Sequence, residues 1–247
     1  MTRMVADRAK RVTDRAKQWL GPRAMTKIRC LIRGRDLPRW GNLRRTRPFS
    51  AAYGFDRGTP IDRYYLDRFL TAHQSAIAGN VLEVQHDSTA RRYGRALGRV
   101  DTFDIVSDSR PTYLCDLAHA DGVLPRDAYN CVLMPNTLQH LRELEPALMN
   151  ALRALQPGGV LLASAAGFVP LTADVADYWR LSPDGWRVLL ARLWPGEEVI
   201  VEGHGNCLAA VAAQMGLAVE EITPAELDVV DPRYPVLTTV FCRKRRV

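Results

Sequence analysis

The sequence predicts a doubly wound α/β domain with a mostly parallel sheet. Apolar runs of strand length alternate with helical patterns between residues 59 and 242, and no internal repeat or low-complexity tract interrupts them. One run, at residues 160–165, is apolar except for Ser164 and fits a strand that is buried on both faces. The 247 residues are enough for one large domain, or for one domain with an appendage.

Composition and charge limit the class of protein. With 47% apolar and 25% charged residues, the chain is neither disordered nor collagen-like. Residues 1–50 hold 15 Arg and Lys against three Asp, whereas the other 197 residues hold 19 basic and 24 acidic side chains. The formal net charge of +7 therefore comes from the N-terminal part. We expect a basic N-terminal helical arm at residues 1–47 and the α/β domain at residues 48–247.

The arm has an amphipathic pattern. Val5, Val12 and Trp19 recur at helical spacing, with basic residues elsewhere around the helix. Three interpretations stay open: the helix packs on the body, it contacts an anionic membrane or partner surface, or it binds nucleic acid. The first 39 residues contain a single aromatic residue, which disfavours base stacking and hence nucleic acid.

The first helix of the body is predicted to begin at Thr59–Asp62. Thr59 can accept at the N-cap, and Asp62 stands where a capping box needs its acceptor. The apolar stripe that starts here reaches Ile77, and Gly79 is expected to end the helix. Leucines repeat at helical spacing over residues 138–155, with a break expected around Pro146. A further helix is predicted over residues 207–215.

Seven apolar segments are predicted to be strands. In chain order they are residues 81–84, 103–106, 112–114, 129–134, 160–165, 198–201 and 236–242. The Gln-Pro-Gly-Gly sequence at residues 156–159 predicts a sharp turn before the fifth strand.

Acidic side chains lie at the predicted ends of neighbouring strands. Ligands of doubly wound sheets bind beyond the carboxyl ends of the strands, near the switch in strand order. Glu83, Asp108 and Asp116 stand at such ends, and a carboxylate can accept the hydroxyls of a ribose or bond an amine. Each acid taken alone also fits a solvated loop or a helix cap. No GxGxxG sequence follows the first strand and no P-loop is present, which disfavours a nicotinamide enzyme and a P-loop enzyme.

Cysteine and histidine usage predicts no metal site. The five cysteines form no CxxC pair and the five histidines are scattered. Free thiols fit a reducing cytoplasm. We see no secretory signal and no apolar run long enough to span a membrane, so we expect a cytoplasmic protein.

The order of these motifs resembles the class I S-adenosylmethionine-dependent methyltransferases. The resemblance rests on V-L-E-V at residues 81–84, the acidic second-strand end, C-D-L at residues 115–117 and L-Q-P-G-G-V-L-L at residues 155–162. More narrowly, the chain is similar to a bacterial subgroup, type 11-like, that accompanies glycan or natural-product biosynthesis genes. The segments that carry this similarity are Y-G-F-D-R-G-T-P-I-D-R-Y-Y-L at 53–66, D-Y-W-R-L-S-P at 177–183, G-H-G-N at 203–206 and D-P-R-Y-P-V at 231–236.

The resemblance covers about residues 48–244 and implies a seven-stranded, Rossmann-like methyltransferase fold with S-adenosyl-L-methionine as cofactor. It implies that Glu83 orders the loop after the first strand, that Asp108 accepts the ribose hydroxyls and that Asp116 accepts the adenine amino group. The other cofactor-binding residues that it implies are Tyr53, Val84, Gln85, Leu117, Asn136 and Gln139. The chain departs from the family in the first loop, where Gln85, His86 and Asp87 stand in place of glycines that allow close backbone approach.

Three residues are candidates for the chemistry. His140, just after the fourth strand, is the first candidate for removing a proton from an oxygen acceptor, and His204 is the second. Arg180 could pair with an anionic group of the substrate. Each also fits a structural role: a helix-start histidine bonded to backbone for His140, and an ion pair that fixes a loop for Arg180.

The sequence thus favours a bacterial methyltransferase acting on a small molecule, most simply on an oxygen of a sugar, glycan intermediate or natural product. Methylation of nitrogen, carbon or a carboxylate is the alternative among enzymes, and a non-catalytic binding protein of the same fold is the alternative outside them. A nucleic-acid enzyme is not expected, because M-P-N-T at residues 134–137 differs from the (D/N)PP(Y/F) sequence of many nucleic-acid amino methylators. The sequence does not give the oligomeric state.

Overall fold

A computed structural model of the chain describes residues 21–34, 37 and 39–246. The chain divides into two units, Met1–Thr46 and Arg47–Val247. In the first unit, helix α1 (Pro22–Ile32) is followed by a short 3-10 helix at Gly41–Leu43. The amphipathic helix predicted within residues 1–20 lies outside the described residues.

The second unit alternates helices and strands. Its elements in chain order are α2 (Ile61–Ala72), β1 (Gly79–Val84), α3 (Ser88–Tyr93), β2 (Leu97–Asp104), β3 (Tyr113–Leu114), β4 (Tyr129–Met134), α4 (Leu144–Ala154), β5 (Leu155–Ala166), α5 (Pro183–Leu193), β6 (Glu198–His204), α6 (Cys207–Gln214), α7 (Pro224–Leu227) and β7 (Leu237–Arg243). Short 3-10 helices occur at Gln74–Ala76, Leu117–His119, Leu138–His140 and Val219–Glu221.

The strands form one seven-stranded sheet in the order β3-β2-β1-β4-β5-β7-β6. All neighbours are parallel except β7, which runs antiparallel to β5 and to β6. The predicted doubly wound, mostly parallel sheet is therefore confirmed. The strand order reverses between β1 and β4, so the carboxyl ends of these two strands mark the switch point.

Helices cover both faces of the sheet, which makes the central strands apolar on both sides. Successive side chains of a strand point to opposite faces. Accordingly, Val81 packs in the core cluster that includes α2 and α6, and its neighbour Leu82 packs in the cluster that includes α4 and α5. Both side chains are fully buried. The fully buried Trp186 places α5 in the second of these clusters.

The start and end of α2 differ from the prediction. Pro60 is the N-cap, and the Thr59 hydroxyl donates instead to Glu220 Oε1 at 2.8 Å. The predicted capping box is therefore absent. The helix ends at Ala72, before the 3-10 turn, and Gly79 begins β1 with a φ of +65°. The Thr59 hydroxyl, which was expected to cap the helix, thus bonds to the distant residue Glu220 instead.

Two expected interruptions near β5 are also different in the structure. Helix α4 contains Pro146 in its first turn, where the missing N–H has no intrahelical partner to lose, so no break occurs. The Gln-Pro-Gly-Gly sequence lies inside β5 as a bulge. The pairing of β4 with β5 moves from Tyr129 with Leu155 to Cys131 with Val160, so one residue of β4 lies opposite four residues of β5.

Candidate functional site

Strand register brings the ends of four strands to one level of the sheet. Val84 of β1 pairs with Phe103 of β2, and Asp104 of β2 pairs with Leu114 of β3. On the other side of β1, Glu83 pairs with Leu133 of β4. Because adjacent strands lie about 4.8 Å apart, the loops that leave β1, β2, β3 and β4 begin next to one another. This edge is the candidate functional site.

The buried side chain of Glu83 organises the loop after β1. Its Oε1 accepts from the Thr89 N–H at 2.9 Å and its Oε2 from the Ala90 N–H at 2.8 Å. Both donors belong to the first turn of α3, so the carboxylate ties the strand end to the helix start. Burial raises the pKa of Glu83, although the two N–H donors oppose that shift.

The loop itself keeps a conformation that favours glycine. Gln85 has a φ of +62°, in the left-handed region, and its N–H donates to the Phe103 carbonyl at 2.9 Å. The side chains of Gln85 and His86 are exposed, and Val84 is half-buried. The backbone therefore turns as a glycine-containing loop would, while side chains occupy its outer surface.

The end of β2 differs from the prediction. The strand ends at Asp104, not at Val106, and Asp108 is exposed in the loop beyond it. Strand β3 has only two residues, which pair with Phe103 and Asp104, so residues beyond Asp104 have no ladder partner. The apolar residue Ile105 favours a longer strand in the sequence, but its side chain is 69% exposed in the structure.

Asp104 is the acid that the sequence analysis missed at this edge. Its Oδ1 accepts from the Val106 N–H at 3.2 Å and its Oδ2 from the Ser109 hydroxyl at 2.8 Å. The residue is 6% exposed, and its carbonyl accepts from the Cys115 N–H at 2.8 Å. The signal that could have found it is its place as the last paired residue of the strand.

Asp116 and Leu117 follow β3 at the same edge. Asp116 is the N-cap of the Leu117–His119 turn, and its Oδ1 accepts from the Ala118 N–H at 2.9 Å. Its side chain is about half exposed. Leu117 is buried, and its carbonyl accepts from Asn150 at 2.8 Å. One carboxylate here is thus open to solvent beside a fixed apolar side chain.

Asn136 joins three elements just after β4. Its Nδ2 donates to Asp62 Oδ2 at 2.7 Å, in the first turn of α2. Its Oδ1 accepts from the Ser164 hydroxyl of β5 at 3.0 Å. The Ser164 Oγ in turn accepts from the Asn136 backbone N–H at 2.7 Å. Asn136 has a φ of +49°, which asparagine tolerates better than most residues. Its side chain therefore fixes the switch point.

Gln139 is buried and its side chain is used within the protein. Its Nε2 donates to the Asn136 carbonyl at 2.7 Å, and its Oε1 accepts from the Ala166 N–H at 3.1 Å. Its carbonyl accepts from the Tyr178 N–H at 2.8 Å. Gln139 thus connects the turn after β4 with the end of β5 and the loop beyond it.

Both ring nitrogens of His140 have partners. Nδ1 lies 2.9 Å from the Ala176 carbonyl, and Nε2 lies 2.9 Å from Gln139 Nε2. A carbonyl only accepts and an amide nitrogen only donates, which assigns the proton to Nδ1 and leaves Nε2 as the acceptor. In this structure His140 positions the loop that contains Ala176.

Arg180 has a protein acceptor for each of its five N–H groups. It forms a bidentate pair with Asp177, whose side chain is 2% exposed. The other three N–H groups donate to the carbonyls of Gly167 (2.7 Å), Val169 (3.1 Å) and Pro170 (3.2 Å). The expected pairing with a substrate anion therefore has no donor left, and the guanidinium instead fixes the loop after β5.

His204 lies at the carboxyl end of β6, three strands away from β4. At the usual strand spacing this is about 14 Å from the switch point. Its Nε2 lies 2.7 Å from Thr239 Oγ1, and its ring stacks on Tyr65 at a centroid distance of 6.2 Å. Burial lowers the pKa of His204. The expected catalytic candidates His140 and His204 are thus in separate places.

Tyr53 connects the segment before α2 to the loop after β5. Its hydroxyl donates to the Leu171 carbonyl at 3.0 Å and accepts from the Ala173 N–H at 3.0 Å. The same loop presents large apolar side chains to solvent, namely Phe168 (48% exposed), Leu171 (65%), Val175 (48%) and Tyr178 (48%). Because the Ala176 carbonyl of this loop contacts His140, the apolar surface lies beside the switch point.

A groove of about 730 Å³ opens between α2 and α3. It reaches Thr89 after β1 and Pro135 after β4, and Arg63, Tyr64 and Tyr93 line it further out. No local sequence pattern predicts this groove, because its walls come from two helices that are packed together by distant contacts. It provides space next to the switch point for a ligand with both polar and aromatic contacts.

Among the residues that the structure describes, no three His, Cys, Asp or Glu side chains are grouped closely enough to hold a metal ion. Within that same part of the chain, no helix has both the length and the apolar character that crossing a membrane requires.

Comparison with known proteins finds likeness only in solved structures. No protein-family model and no curated protein matches the chain. A methyltransferase described as S-adenosylmethionine-dependent, from Mesorhizobium loti, is 15% identical over 74% of this chain and 100% of its own, with a TM-score of 0.49. One from Archaeoglobus fulgidus is 14% identical over 74% of this chain and 90% of its own, with a TM-score of 0.47. At these identities the likeness concerns the fold alone.

Proposed function

We propose that this chain is an S-adenosyl-L-methionine-dependent methyltransferase that acts on a small-molecule acceptor, most simply on an oxygen atom. The observation that supports this most is the arrangement at the carboxyl edge of the sheet. The loop ordered by Glu83, with Gln85 in a left-handed conformation, adjoins Asp104 at the end of β2 and Asp116 in the loop after β3. Such an edge suits a ligand with hydroxyl and amino groups.

The described residues fit a nucleoside-bearing cofactor. A carboxylate oxygen has two lone pairs, so Asp104 can accept from ligand hydroxyls while it keeps its bonds to Val106 and Ser109. Asp116 has one oxygen bonded to the Ala118 N–H and a half-exposed side chain, which leaves room for an amino group. We therefore place the ribose on Asp104, rather than on Asp108, and the adenine near Asp116.

The bound cofactor supplies a methyl group that its sulfonium charge already activates. The chain then has to hold the acceptor in line and to exclude water. An oxygen acceptor also loses a proton, and His140 Nε2 can take it only after the bond from Gln139 opens. Arg180 acts as a positioning residue, because it fixes the loop that adjoins His140.

The loop after β5 favours an acceptor with an apolar scaffold. Four large apolar side chains of this loop are 48–65% exposed, and exposed apolar clusters in a monomer mark binding surfaces. A bare sugar would leave these side chains in water, whereas a natural product or a lipid-linked glycan intermediate would cover them. Nitrogen, carbon or carboxylate acceptors on such a scaffold are the alternative, since several of them need no base.

A non-catalytic binding protein of the same fold is the second candidate. Gln85, His86 and Asp87 stand in the loop where the family has glycines, and each of the three candidate catalytic residues has partners within the protein. This arrangement is the one that a protein without turnover would tolerate. The two candidates agree about the fold and differ in whether a methyl group moves.

Calorimetric titration with S-adenosyl-L-methionine and with S-adenosyl-L-homocysteine tests the cofactor. We expect both to bind, and we expect Asp104→Asn to weaken both. The matched control is Asp184→Asn on α5, where the side chain is 90% exposed. If the wild-type protein binds neither compound, the cofactor proposal is wrong. If the protein binds the cofactor but transfers no methyl group to any of a panel of hydroxylated apolar compounds, the non-catalytic candidate is favoured.

A further inference from the structure

Helix α1 has an apolar face that becomes exposed toward its end. Met25, Ile28, Leu31 and Ile32 follow helical spacing and share this face. Met25 is buried, whereas Leu31 is 66% exposed and Ile32 is 70% exposed. Both aliphatic side chains therefore lie mostly in solvent at the end of the helix.

The exposed apolar character continues beyond the helix. Leu37 (37% exposed), Trp40 (56%) and Leu43 (39%) also present their side chains to solvent. We call these three residues, together with Leu31 and Ile32, the apolar strip. Five large apolar side chains within 13 residues of sequence are more than scattered surface exposure explains.

Positive charge surrounds the apolar strip. Residues 21–47 contain nine Arg and Lys and a single Asp. Lys27 and Arg29 of α1 and the C-cap residue Arg33 are exposed, and no carboxylate in the described part of the chain forms an ion pair with any of them. The charge of these three side chains is complementary to an anionic surface.

We propose that residues 21–46 bind the surface of a membrane that contains anionic lipid. Basic side chains are attracted to the headgroups, while leucine and isoleucine insert between the acyl chains and tryptophan lies at the interface. Nucleic acid would pair with the basic side chains but would not cover the apolar strip. Four of the five side chains in the strip are aliphatic and cannot stack on bases. The combination of both features favours lipid.

Co-sedimentation of the full chain with lipid vesicles tests this proposal. The probes are vesicles of phosphatidylglycerol and phosphatidylcholine in equal parts, and vesicles of phosphatidylcholine alone. We expect at least tenfold tighter binding to the anionic vesicles. We also expect this binding to weaken severalfold when salt is raised from about 0.1 M to about 1 M, because the screening length falls from about 10 Å to about 3 Å.

The double variant Leu31→Asp/Ile32→Asp separates insertion from charge attraction alone. We expect it to lose binding by at least tenfold. Its matched control is Val188→Asp/Val230→Asp, which makes the same chemical change at side chains that are 73% and 65% exposed in the second unit. Circular dichroism checks that each variant is folded.

Three results would overturn the proposal. One is equal binding of the wild-type chain to neutral and anionic vesicles, or no binding to either. Another is an equal loss in the control variant, since added negative charge would then be sufficient. The third is tight binding to a DNA or RNA duplex together with no binding to anionic vesicles.

Discussion

Asn136 donates its side-chain amide to Asp62 Oδ2 at 2.7 Å, and so fixes the first turn of α2 against the end of β4. The two residues are 74 positions apart in the chain. The bond lies at the switch point of the sheet, where the proposed cofactor binds. One wall of the site is therefore a helix whose first turn is tied to the end of β4 by this amide.

Substitution of Asn136 separates the contribution of the side chain from that of the backbone. We expect Asn136→Ala to lower the free energy of unfolding by about 2–3 kcal/mol, since it removes two side-chain bonds and leaves alanine at a left-handed φ. Asn136→Gly removes the same bonds without the backbone cost, so it should be about 1 kcal/mol less harmful. Urea denaturation measures both values. Equal losses in the two variants would show that the backbone conformation is not strained.

Gln85→Gly tests the loop after β1. Relief of the left-handed conformation and the greater freedom of glycine in the unfolded chain oppose each other, so stability should change by less than about 1 kcal/mol. We expect the affinity for S-adenosyl-L-methionine, measured by calorimetry, to rise severalfold because a side chain leaves the loop. Ala96→Gly makes a matched change at a φ of +48°, before β2, and should leave the affinity unchanged. An equal rise in both variants would contradict a local effect.

Substitution of Asp104 and of Asp108 should have different effects on the affinity for the cofactor. We expect Asp104→Asn to weaken binding of S-adenosyl-L-homocysteine by about 1–3 kcal/mol, because a buried acceptor at the strand end loses its charge. Asp108→Asn, in the exposed loop, should have no effect. Ser109→Ala removes only the internal 2.8 Å bond to Asp104 and controls for loss of loop structure. Weaker binding in Asp108→Asn alone would restore the assignment made from the sequence.

Elements with a strong local pattern could be predicted from the sequence. The strand at 129–134 has the predicted bounds, and the helix predicted at 207–215 is observed as Cys207–Gln214. The first apolar run ends at Pro135, and the second lies between Asn206 and Gly216. Contacts between distant segments had no such signal. The Thr59–Glu220 and Asn136–Asp62 bonds join residues 161 and 74 positions apart, and they decide the helix start and the geometry of the site.

The site residues were harder to predict for a related reason. Residue type and position identified the edge, but whether a side chain is available depends on its partners. The guanidinium of Arg180 donates to backbone carbonyls. Because every residue has a carbonyl, the sequence contains no signal for these bonds. The end of β2 was misplaced because local apolarity favoured a longer strand, whereas the two-residue β3 provides a partner only as far as Asp104.

Arg180→Lys should destabilise the protein without a change in charge. Lysine cannot reproduce a planar fork with five donors, and the buried Asp177 loses its bidentate partner. We expect a loss of about 2–3 kcal/mol in urea denaturation, together with faster proteolysis within the loop after β5. Arg126→Lys provides the control, since its pair with Asp121 is on the surface and contributes at most about 1 kcal/mol. If Arg180→Lys were as stable as the wild-type protein, the guanidinium of Arg180 would not be needed for the fold and could instead bind a substrate.

Stability should fall as the solution is acidified below the ordinary pKa of histidine. Burial lowers the pKa of both His204 and His73 in the folded protein. Between the lowered folded pKa and the unfolded value of about 6.5, the unfolded chain binds more protons. Stability is therefore complete above about pH 6.5 and decreases as the pH falls toward the folded pKa, with a slope of at most about 1.4 kcal/mol per pH unit for each histidine.

His204→Gln removes one of these titrations and keeps a polar atom for Thr239, whose hydroxyl lies 2.7 Å from the ring nitrogen. We expect the variant to show a smaller difference in unfolding free energy between pH 7 and about pH 5 than the wild-type protein. The double variant His73→Gln/His204→Gln should reduce that difference further, because the two rings contact different aromatic neighbours, Tyr65 for His204 and Phe241 for His73. Urea denaturation at the two pH values measures the effect. A slope that is unchanged in the double variant would mean that carboxylates, rather than these histidines, control the acid sensitivity of the fold.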